Sequence, residues 1–272
     1  IVAGFQGVST SKEITTLGRG GSDTSAVALA AALGVRDCEI YTDVDGVYTA
    51  DPRVVGGARK LNEISYDEML ELARLGAGVL HSRSVEFGKK YNVRIHVRSS
   101  FNRNEGTIVK PREEMMEKFT MSGVTSKSDE VKFNIYGIPD CPGIAQKIFT
   151  VLGEEKIYVN MIVQSTGKDG KADISFTVLK KDIDRVKAIS EKIKTELKGD
   201  EVTFQDNIAI VSAVGVGMLS SAGVAGKLFR ILSDHNINIQ MISTSEIGIS
   251  CVIDEMYAEL AVKSIHKEFM EK

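Results

Sequence analysis

The chain has 272 residues, a length that suits about two domains. Its 34 basic and 37 acidic residues leave a net charge of −3, which argues against a nucleic acid partner because such binding usually needs a basic face. No apolar run approaches the ~20 residues of a membrane span, so we expect no membrane association.

The cysteines and histidines argue against disulfides and bound metal. Cys38, Cys141 and Cys251 are odd in number, widely spaced and without a C-x-x-C pair, so we expect reduced thiols in a cytoplasmic protein. The four histidines show no spacing typical of metal ligands, and no metal-ligating residue is predicted.

The first part of the chain reads as strand, glycine-rich loop, helix and strand. Ile1–Phe5 is apolar, Ser22 and Asp23 offer N-caps for a helix over Thr24–Leu33, and Cys38–Thr42 is the next strand. This order is typical of a parallel sheet in an α/β fold. Because the chain opens inside a strand and without Met, we expect it to be the later part of a longer protein.

Two further helices and a strand complete the predicted first domain. Helical periodicity runs over Tyr66–Leu75 and again after Gly78, and Val93–Ser100 has strand character. Charged residues and one proline over Lys110–Lys118 indicate a linker or a short joining helix.

Beyond this linker the chain contains an internal repeat. Six residue pairs are separated by the same interval of 80 residues, namely Gly143 and Gly223, Ala145 and Ala225, Lys147 and Lys227, Phe149 and Phe229, Leu152 and Leu232, and Met161 and Met241. A fixed interval indicates repeated structural units, and each unit reads as strand, helix, two strands and helix.

The second repeat lacks a final strand, because the chain stops after the helix Tyr257–Met270. Since proteins avoid unpaired sheet edges, we predict that Phe119–Ser126 pairs within the second repeat's sheet, so that the first repeat is inserted into the second. The predicted domains are residues 1–112, residues 127–205, and residues 119–126 together with 206–272.

The stretch "TTLGRGGSDTSA" over Thr15–Ala26 is a candidate anion site. A helix N-terminus offers free N–H groups, glycines let an anion approach closely, and Arg19 adds a rigid fork of donors. The alternative is a tight turn with a solvated Arg19.

The stretch "YTDVDGVYTADPR" follows a strand at the sheet end where open α/β folds bind ligands. Tyr48 is suited to lie against a base and Arg53 to hold phosphate. The alternative is an ordinary turn, because Asp45-Gly46 and Asp51-Pro52 are common turn pairs.

These two stretches, together with "LGAGVLHSRSVE", "VRSS", "EGTIV", "DCPGIA" and "STSEIGIS", resemble the aspartate kinase family along essentially the whole chain. The resemblance implies an α/β fold class: a partial amino-acid-kinase fold, with a mostly parallel sheet and flanking helices, followed by two ferredoxin-like βαββαβ ACT domains.

The reaction implied by the resemblance is ATP-dependent phosphorylation of L-aspartate to 4-phospho-L-aspartate, assisted by Mg²⁺, the first step of lysine, threonine and methionine biosynthesis. The residues that match the family's aspartate-binding positions are Arg19, Ser22 and Asp23. The residues that match its ATP-contacting positions are Thr42, Asp43, Tyr48 and Arg53.

Two departures from the family pattern affect the expected activity. The family's N-terminal lysine and "GGTS"-type loop, which hold the nucleotide phosphates, are absent, so we expect this chain alone to be inactive. Some relatives also have a nucleotide-contacting lysine where this chain has Gly78, and Arg83 is a candidate substitute.

The ACT resemblance implies control by lysine, threonine or both, bound between the first repeat and a partner's second repeat in a homodimer or higher oligomer. The expected effector-binding residues are Asp140, Gly143, Ile144, Ala145, Gln164, Asn238, Ile239 and Ser245. The alternative is that Asp140 only caps the helix and Gln164 is solvated.

Two other functions stay open at this point. One is a non-catalytic, amino-acid-binding regulatory module, because an internal start at Met115, Met116 or Met121 would fall at the domain junction. The other is a kinase acting on glutamate or a nucleotide, which the paired C-terminal repeats disfavour.

Overall fold

The computed structural model describes residues 1–115, 121–167, 169–218 and 223–271. The elements of the first segment, in chain order, are β1 Gln6–Val8, β2 Ile14–Thr16, α1 Gly21–Ala32, β3 Asp37–Thr42, β4 Glu63–Ser65, α2 Tyr66–Arg74, α3 Ser82–Tyr91, β5 Arg94–Ser99 and β6 Thr107–Lys110. The elements of the repeats are β7 Gly123–Lys127, β8 Glu130–Pro139, α4 Ile144–Glu154, β9 Val159–Thr166, β10 Lys171–Leu179, α5 Ile183–Leu197, β11 Glu201–Gln205, β12 Ile208–Val214, α6 Val224–Asp234, β13 Met241–Ser245, β14 Gly248–Asp254 and α7 Ala258–Met270.

The first segment contains a four-stranded sheet in the order β3-β5-β6-β4. The β3–β5 and β4–β6 pairs are parallel, whereas β5 and β6 are antiparallel, so the sheet is mostly parallel as predicted. Apolar side chains of β5 and of the three helices form its core, with Ile95 and Val97 fully buried.

The predicted strand over Ile1–Phe5 is wrong. The backbone of Phe5 is left-handed, with φ 66°, and this turns the chain before β1 begins at Gln6. β1 then pairs with β2 as a separate two-stranded hairpin and does not enter the parallel sheet.

The predicted N-caps of α1 are also wrong. The helix begins at Gly21, and its N-cap is Gly20, whose left-handed φ of 73° is readily adopted only by glycine. Ser22 and Asp23 therefore lie inside the first turn, and no side chain caps the helix. The free N–H groups of this turn consequently remain available to an external acceptor.

The two repeats fold as two similar four-stranded sheets covered by helices. The first has the order β11-β8-β10-β9, and the second has the order β13-β14-β12-β7. In the second sheet β7 takes the place that β11 has in the first.

The predicted pairing of the strand before the first repeat is confirmed. β7 is antiparallel to β12, with Gly123 opposite Val214 and Ser126 opposite Val211. Phe119 and Thr120, which were part of the predicted strand, lie outside the described residues. The first repeat therefore lies in sequence between two parts of the second sheet.

The second repeat packs directly on the first segment. Ala50 and Val55 belong to the same buried apolar cluster as the side chains of α6 and α7. On α2, the buried carboxylate of Glu68 accepts hydrogen bonds from the Ser122 hydroxyl and the Val216 N–H. Loops of the first segment are thus held against the second ACT-like sheet.

Among the helices in the described ranges, none is long and apolar enough to cross a membrane.

Candidate functional site

Two cavities adjoin each other where the first segment meets the repeats. Their volumes are about 610 Å³ and about 690 Å³, and residues 76–79 line both. We call them the first cavity and the second cavity, and residues 76–79 the shared wall. A ligand in one cavity would therefore lie directly beside a ligand in the other.

The first cavity brings together three of the four predicted nucleotide-binding residues. Asp43, Tyr48 and Arg53 line it, along with Val124 and Val262 from the second repeat. Thr42 is not among the lining residues, and its hydroxyl instead donates to Asp43 Oδ1 at 3.0 Å. Thr42 therefore orients Asp43 from the end of β3.

Arg53 extends into solvent at the edge of the first cavity. Its guanidinium donates to both oxygens of Asp51, with Nη2 at 2.7 Å from Oδ2, while its side chain is 89% exposed. This pair lowers the pKa of Asp51 and raises the pKa of Arg53, so both groups stay charged near neutral pH. Because the pair is exposed, a phosphate could displace Asp51 at small cost.

The loop that carries Tyr48 and Arg53 is held at several points. Thr107 Oγ1 accepts from the Val47 N–H at 2.8 Å, and the Thr49 carbonyl accepts from the Val124 N–H of β7 at 2.8 Å. The Thr49 hydroxyl lies 2.8 Å from Nε2 of His266 on α7. Elements of the second repeat therefore set the position of this loop.

The second cavity contains two of the three predicted aspartate-binding residues. Arg19 and Asp23 line it together with Gly20, while Ser22 is exposed in the first turn of α1 and does not line it. The Arg19 guanidinium has no ion-pair partner within the described part of the chain, so its donors are available to a carboxylate.

His81 shapes the glycine loop from the start of α3. A Cβ added to Gly20 would lie 2.2 Å from the His81 ring, so only glycine fits there. Burial raises the pKa of Asp23, and a hydrogen bond from the His81 N–H partly offsets this effect. Asp23 is thus a partly desolvated acid, suited to pair with an ammonium group.

Sequence reasoning singled out Gly78 of the shared wall and missed the rest of the wall, His81 and Lys127 as parts of the site. The shared wall and His81 fall in "LGAGVLHSRSVE", a stretch in which only Gly78 and Arg83 were considered as single residues. Gly76 approaches β7 closely, since an added Cβ would lie 3.2 Å from the Lys127 Cβ. No local pattern marks Lys127, which reaches the second cavity from the other side of the domain junction.

Gly78 and Arg83, the positions that depart from the family pattern, have distinct environments. A Cβ on Gly78 would meet no atom within 4 Å, so a longer side chain would fit there. Arg83 does not line either cavity, and its Nη1 donates to the Leu17 carbonyl at 3.0 Å. Arg83 therefore holds the chain before the glycine loop.

The predicted effector residues lie on two different units. Asp140, Gly143, Ile144 and Ala145 surround the start of α4, and Gln164 lies on β9. Gly143 is the N-cap, with φ 95° and no side-chain cap, so Asp140 does not cap this helix.

The remaining effector residues belong to the second repeat. Asn238 is exposed and Ile239 is half-buried just before β13. The Ser245 hydroxyl donates to Glu71 Oε1 on α2 at 2.7 Å, so this part of the repeat contacts the first segment.

Comparisons with known proteins agree with this architecture. The amino acid kinase family matches residues 1–99, and the ACT domain matches residues 134–192 and 211–269. The aspartate kinase of Stutzerimonas stutzeri is 51% identical over 270 residues, covering 99% of this chain and 66% of the relative. The chain thus spans just under two thirds of the length of the curated relatives it matches.

Two solved structures match different extents of the chain. E. coli aspartokinase III, solved in complex with aspartate and ADP, has a TM-score of 0.82 at 26% identity, covering 99% of this chain and 60% of its own. The regulatory subunit of aspartate kinase from Thermus thermophilus has a TM-score of 0.53 at 37% identity, covering 55% of this chain and 99% of its own.

The cavities lie between an amino acid kinase segment and paired ACT sheets, and both parts are matched in order by these relatives. The chain therefore belongs to the aspartate kinase family, with the C-terminal part of an amino acid kinase domain followed by two ACT domains.

Proposed function

We propose that the protein transfers the γ-phosphoryl group of ATP to the side-chain carboxylate of L-aspartate, giving 4-phospho-L-aspartate and ADP. The observation that supports this most directly is the pair of cavities with a shared wall. The first cavity contains three of the four residues expected to bind ATP, and the second contains two of the three expected to bind aspartate. The related E. coli enzyme was solved with aspartate and ADP.

The residues of the second cavity suit an amino acid substrate. Arg19 would pair with a carboxylate through its free donors, and Asp23 would pair with the ammonium. The substrate's side-chain carboxylate has an ordinary pKa of about 3.9, so it is ionised at neutral pH and needs no general base.

The reaction then requires orientation and charge neutralisation. An oxygen of the carboxylate forms a bond to the γ-phosphorus while the bond from that phosphorus to the bridging oxygen of ADP breaks. The free N–H groups at the start of α1, the Arg19 guanidinium and Arg53 would stabilise the negative charge on the transferring group.

Mg²⁺ is expected to accompany the nucleotide. Magnesium is usually bound by one or two carboxylates together with substrate phosphates, and it neutralises phosphate charge. No cluster of three acidic, histidine or cysteine ligands occurs in residues 1–115 or in the other described ranges. Asp43 fits the single-carboxylate arrangement because it lines the first cavity and makes no salt bridge within the described ranges.

We further propose feedback control by lysine, threonine or both through the ACT domains. The start of α4 offers uncapped N–H groups for the effector carboxylate, and Asp140 is available to its ammonium. The site would join the first ACT domain of one protomer to Asn238, Ile239 and Ser245 of another, in a homodimer or higher oligomer. The proposal includes the domain boundaries expected from the sequence, at residues 112, 127 and 206. It also includes a cytoplasmic location, because the three free thiols suit a reducing compartment.

A second candidate function is a non-catalytic regulatory subunit. The observation that favours it is the match of 55% of the chain to nearly the whole regulatory subunit from Thermus thermophilus. That match leaves the two cavities and the first segment without a role, so the kinase proposal explains more of the structure.

The test is a coupled assay of ADP release on the full-length protein with L-aspartate, and with L-glutamate as the control substrate. We expect aspartate-dependent ADP release, and Arg19→Ala should raise the KM for aspartate roughly 10- to 100-fold, the value of one lost charge-assisted hydrogen bond. The KM for ATP should stay within about twofold.

Arg36→Ala is the matched control, because Arg36 pairs with Glu114 away from both cavities. Wild-type protein without aspartate-dependent turnover would overturn the proposed function. Equal increases in both KM values for Arg19→Ala would show that the two cavities do not separate the substrates.

A further inference from the structure

We propose that Lys127 is a substrate-anion-binding residue of the second cavity, contributed by the regulatory half of the protein. Lys127 is the last residue of β7, the strand that completes the second ACT sheet. This inference rests on the proposed function, since it assigns a further residue to the pocket that would receive the amino acid substrate.

Lys127 and Arg19 line the same cavity, so the regulatory half contributes a second basic residue to it. Lys127 lines the second cavity together with Ser128 and Asp129, whereas Arg19 and Asp23 line it from the first segment. Its Cβ packs against Gly76 of the shared wall, where glycine has a left-handed φ of 115°. The lysine is therefore held close to the boundary between the two cavities.

The Lys127 ammonium has donors that no group in the described ranges uses. Its side chain is only 15% exposed, and its one polar partner among the described residues is Glu130, with Nζ 2.5 Å from Oε1. An ammonium group carries three N–H donors. The geometry leaves two of them for an acceptor in the cavity, and an anion is the acceptor best matched to a partly buried cation.

The Glu130 carboxylate holds the Lys127 ammonium in place. This carboxylate is 2% exposed, and its Oε1 also accepts from Asn160 Nδ2 at 3.0 Å. Its Oε2 is buried and has no hydrogen-bond partner in the described part of the chain. Because Glu130 starts β8 of the first ACT domain, a shift of that domain would move the lysine relative to Arg19.

A substrate with two carboxylates suits this arrangement. Arg19 supplies a cation from the first segment and Lys127 supplies one from β7, while Asp23 supplies an acid for the ammonium. The proposal thus makes substrate affinity depend on the position of β7, and it connects the effector-binding half to the substrate without a change in the first segment.

The test compares Lys127→Met with wild type in the full-length protein, measuring KM for aspartate and for ATP and the thermal midpoint. We expect the KM for aspartate to rise roughly 10- to 100-fold, with the KM for ATP within about twofold. Lys127→Arg, which keeps the positive charge, should recover most of the affinity.

Two controls separate binding from folding. Lys171→Met removes a lysine that pairs with Asp200 on the first ACT domain and lines neither cavity, so it should leave both KM values unchanged. The double variant Lys127→Met with Glu130→Gln removes both charges of the pair, so it avoids an unpaired buried carboxylate and should still show the higher KM for aspartate.

The outcomes distinguish this inference from the proposed function. If wild type shows no turnover with aspartate, the proposed function fails and this inference fails with it. If wild type is active but Lys127→Met and the double variant keep the wild-type KM for aspartate, only the role of Lys127 is refuted. A lower thermal midpoint with unchanged KM values would assign Lys127 a structural role alone.

Discussion

At the scale of single residues, His266 couples α7 to the loop of the first cavity. The side chain is 0% exposed, its Nε2 lies 2.8 Å from the Thr49 hydroxyl, and its Nδ1 lies 3.5 Å from Glu271 Oε1. Burial lowers the pKa of His266, an effect that the nearby Glu271 only partly offsets and that Arg59 reinforces. The neutral ring is therefore the form that the folded protein favours.

This shift predicts how stability depends on pH. In the unfolded chain a histidine has a pKa of about 6.5, so below that value the unfolded state binds a proton that the folded state resists. The contribution of His266 is fully present above pH about 6.5 and is lost as the pH falls toward the lower folded pKa. We expect the free energy of unfolding, measured with urea, to fall less between pH 7.5 and pH 5.5 in the His266→Gln variant than in wild type.

His235→Gln is the control for this prediction, because His235 is the exposed C-cap residue of α6, with its ring within hydrogen-bond distance of the Ile231 carbonyl and the Ser264 hydroxyl. A His266→Gln variant whose stability falls with pH as steeply as wild type would contradict it.

At the scale of elements, α2 joins the first segment to the second ACT sheet. Ser65 and Glu68 form a capping box at its start, and the same carboxylate accepts from Ser122 and Val216 across the junction. Arg112 Nη1 lies 3.7 Å from Glu68 Oε1 and adds positive charge. One buried side chain therefore serves both the helix start and the contact between domains.

We expect Glu68→Ala to lower the free energy of unfolding by about 2–4 kcal/mol, because it removes a capping interaction and leaves buried donors unpaired. Glu71→Ala, on the same helix but with its carboxylate near the surface, should cost about 0.5 kcal/mol. Urea unfolding followed by circular dichroism measures both. Equal losses for the two variants would refute the special role of Glu68.

The sequence predicted which helices and strands form better than it predicted the residues at which they begin and end. Helical periodicity located α2 and α3, and the edge argument found the pairing of β7 with β12. The start of α1 was missed because Ser22 and Asp23 are good caps by type, whereas the left-handed backbone of Gly20 and the His81 ring decide where the helix begins.

At the scale of the whole molecule, the site is assembled from distant parts of the chain, which explains what sequence reasoning missed. Arg19 and Asp23 belong to one motif and were found together. Lys127 reaches the second cavity, and His266 reaches Thr49 in the loop of the first cavity, only through the packing of the second repeat on the first segment. No periodicity or spacing encodes a contact between residues so far apart.

The proposed effector site belongs to the assembled molecule as well. Calorimetry with lysine and with threonine, singly and together, should show binding of at least one of them to this chain. We expect Asp140→Asn to weaken that binding roughly tenfold or more, through loss of a charge-assisted contact with the effector ammonium.

Asp184→Asn, an exposed acid in the first turn of α5, is the matched control and should bind like wild type. Unchanged binding in Asp140→Asn would place the effector elsewhere. Absence of binding by either amino acid would leave the ACT domains with a role in assembly alone.

The insertion of the first ACT domain into the second has a consequence for synthesis on the ribosome. Ser126 of β7 pairs with Val211 of β12, about 85 residues later. At about 5–20 residues per second, β7 waits roughly 4–17 s for its partner, while the first ACT domain can already fold in the interval. Nascent β7 is therefore an exposed strand edge for several seconds, and slower translation between these strands would lengthen its exposure to chaperones and to neighbouring chains.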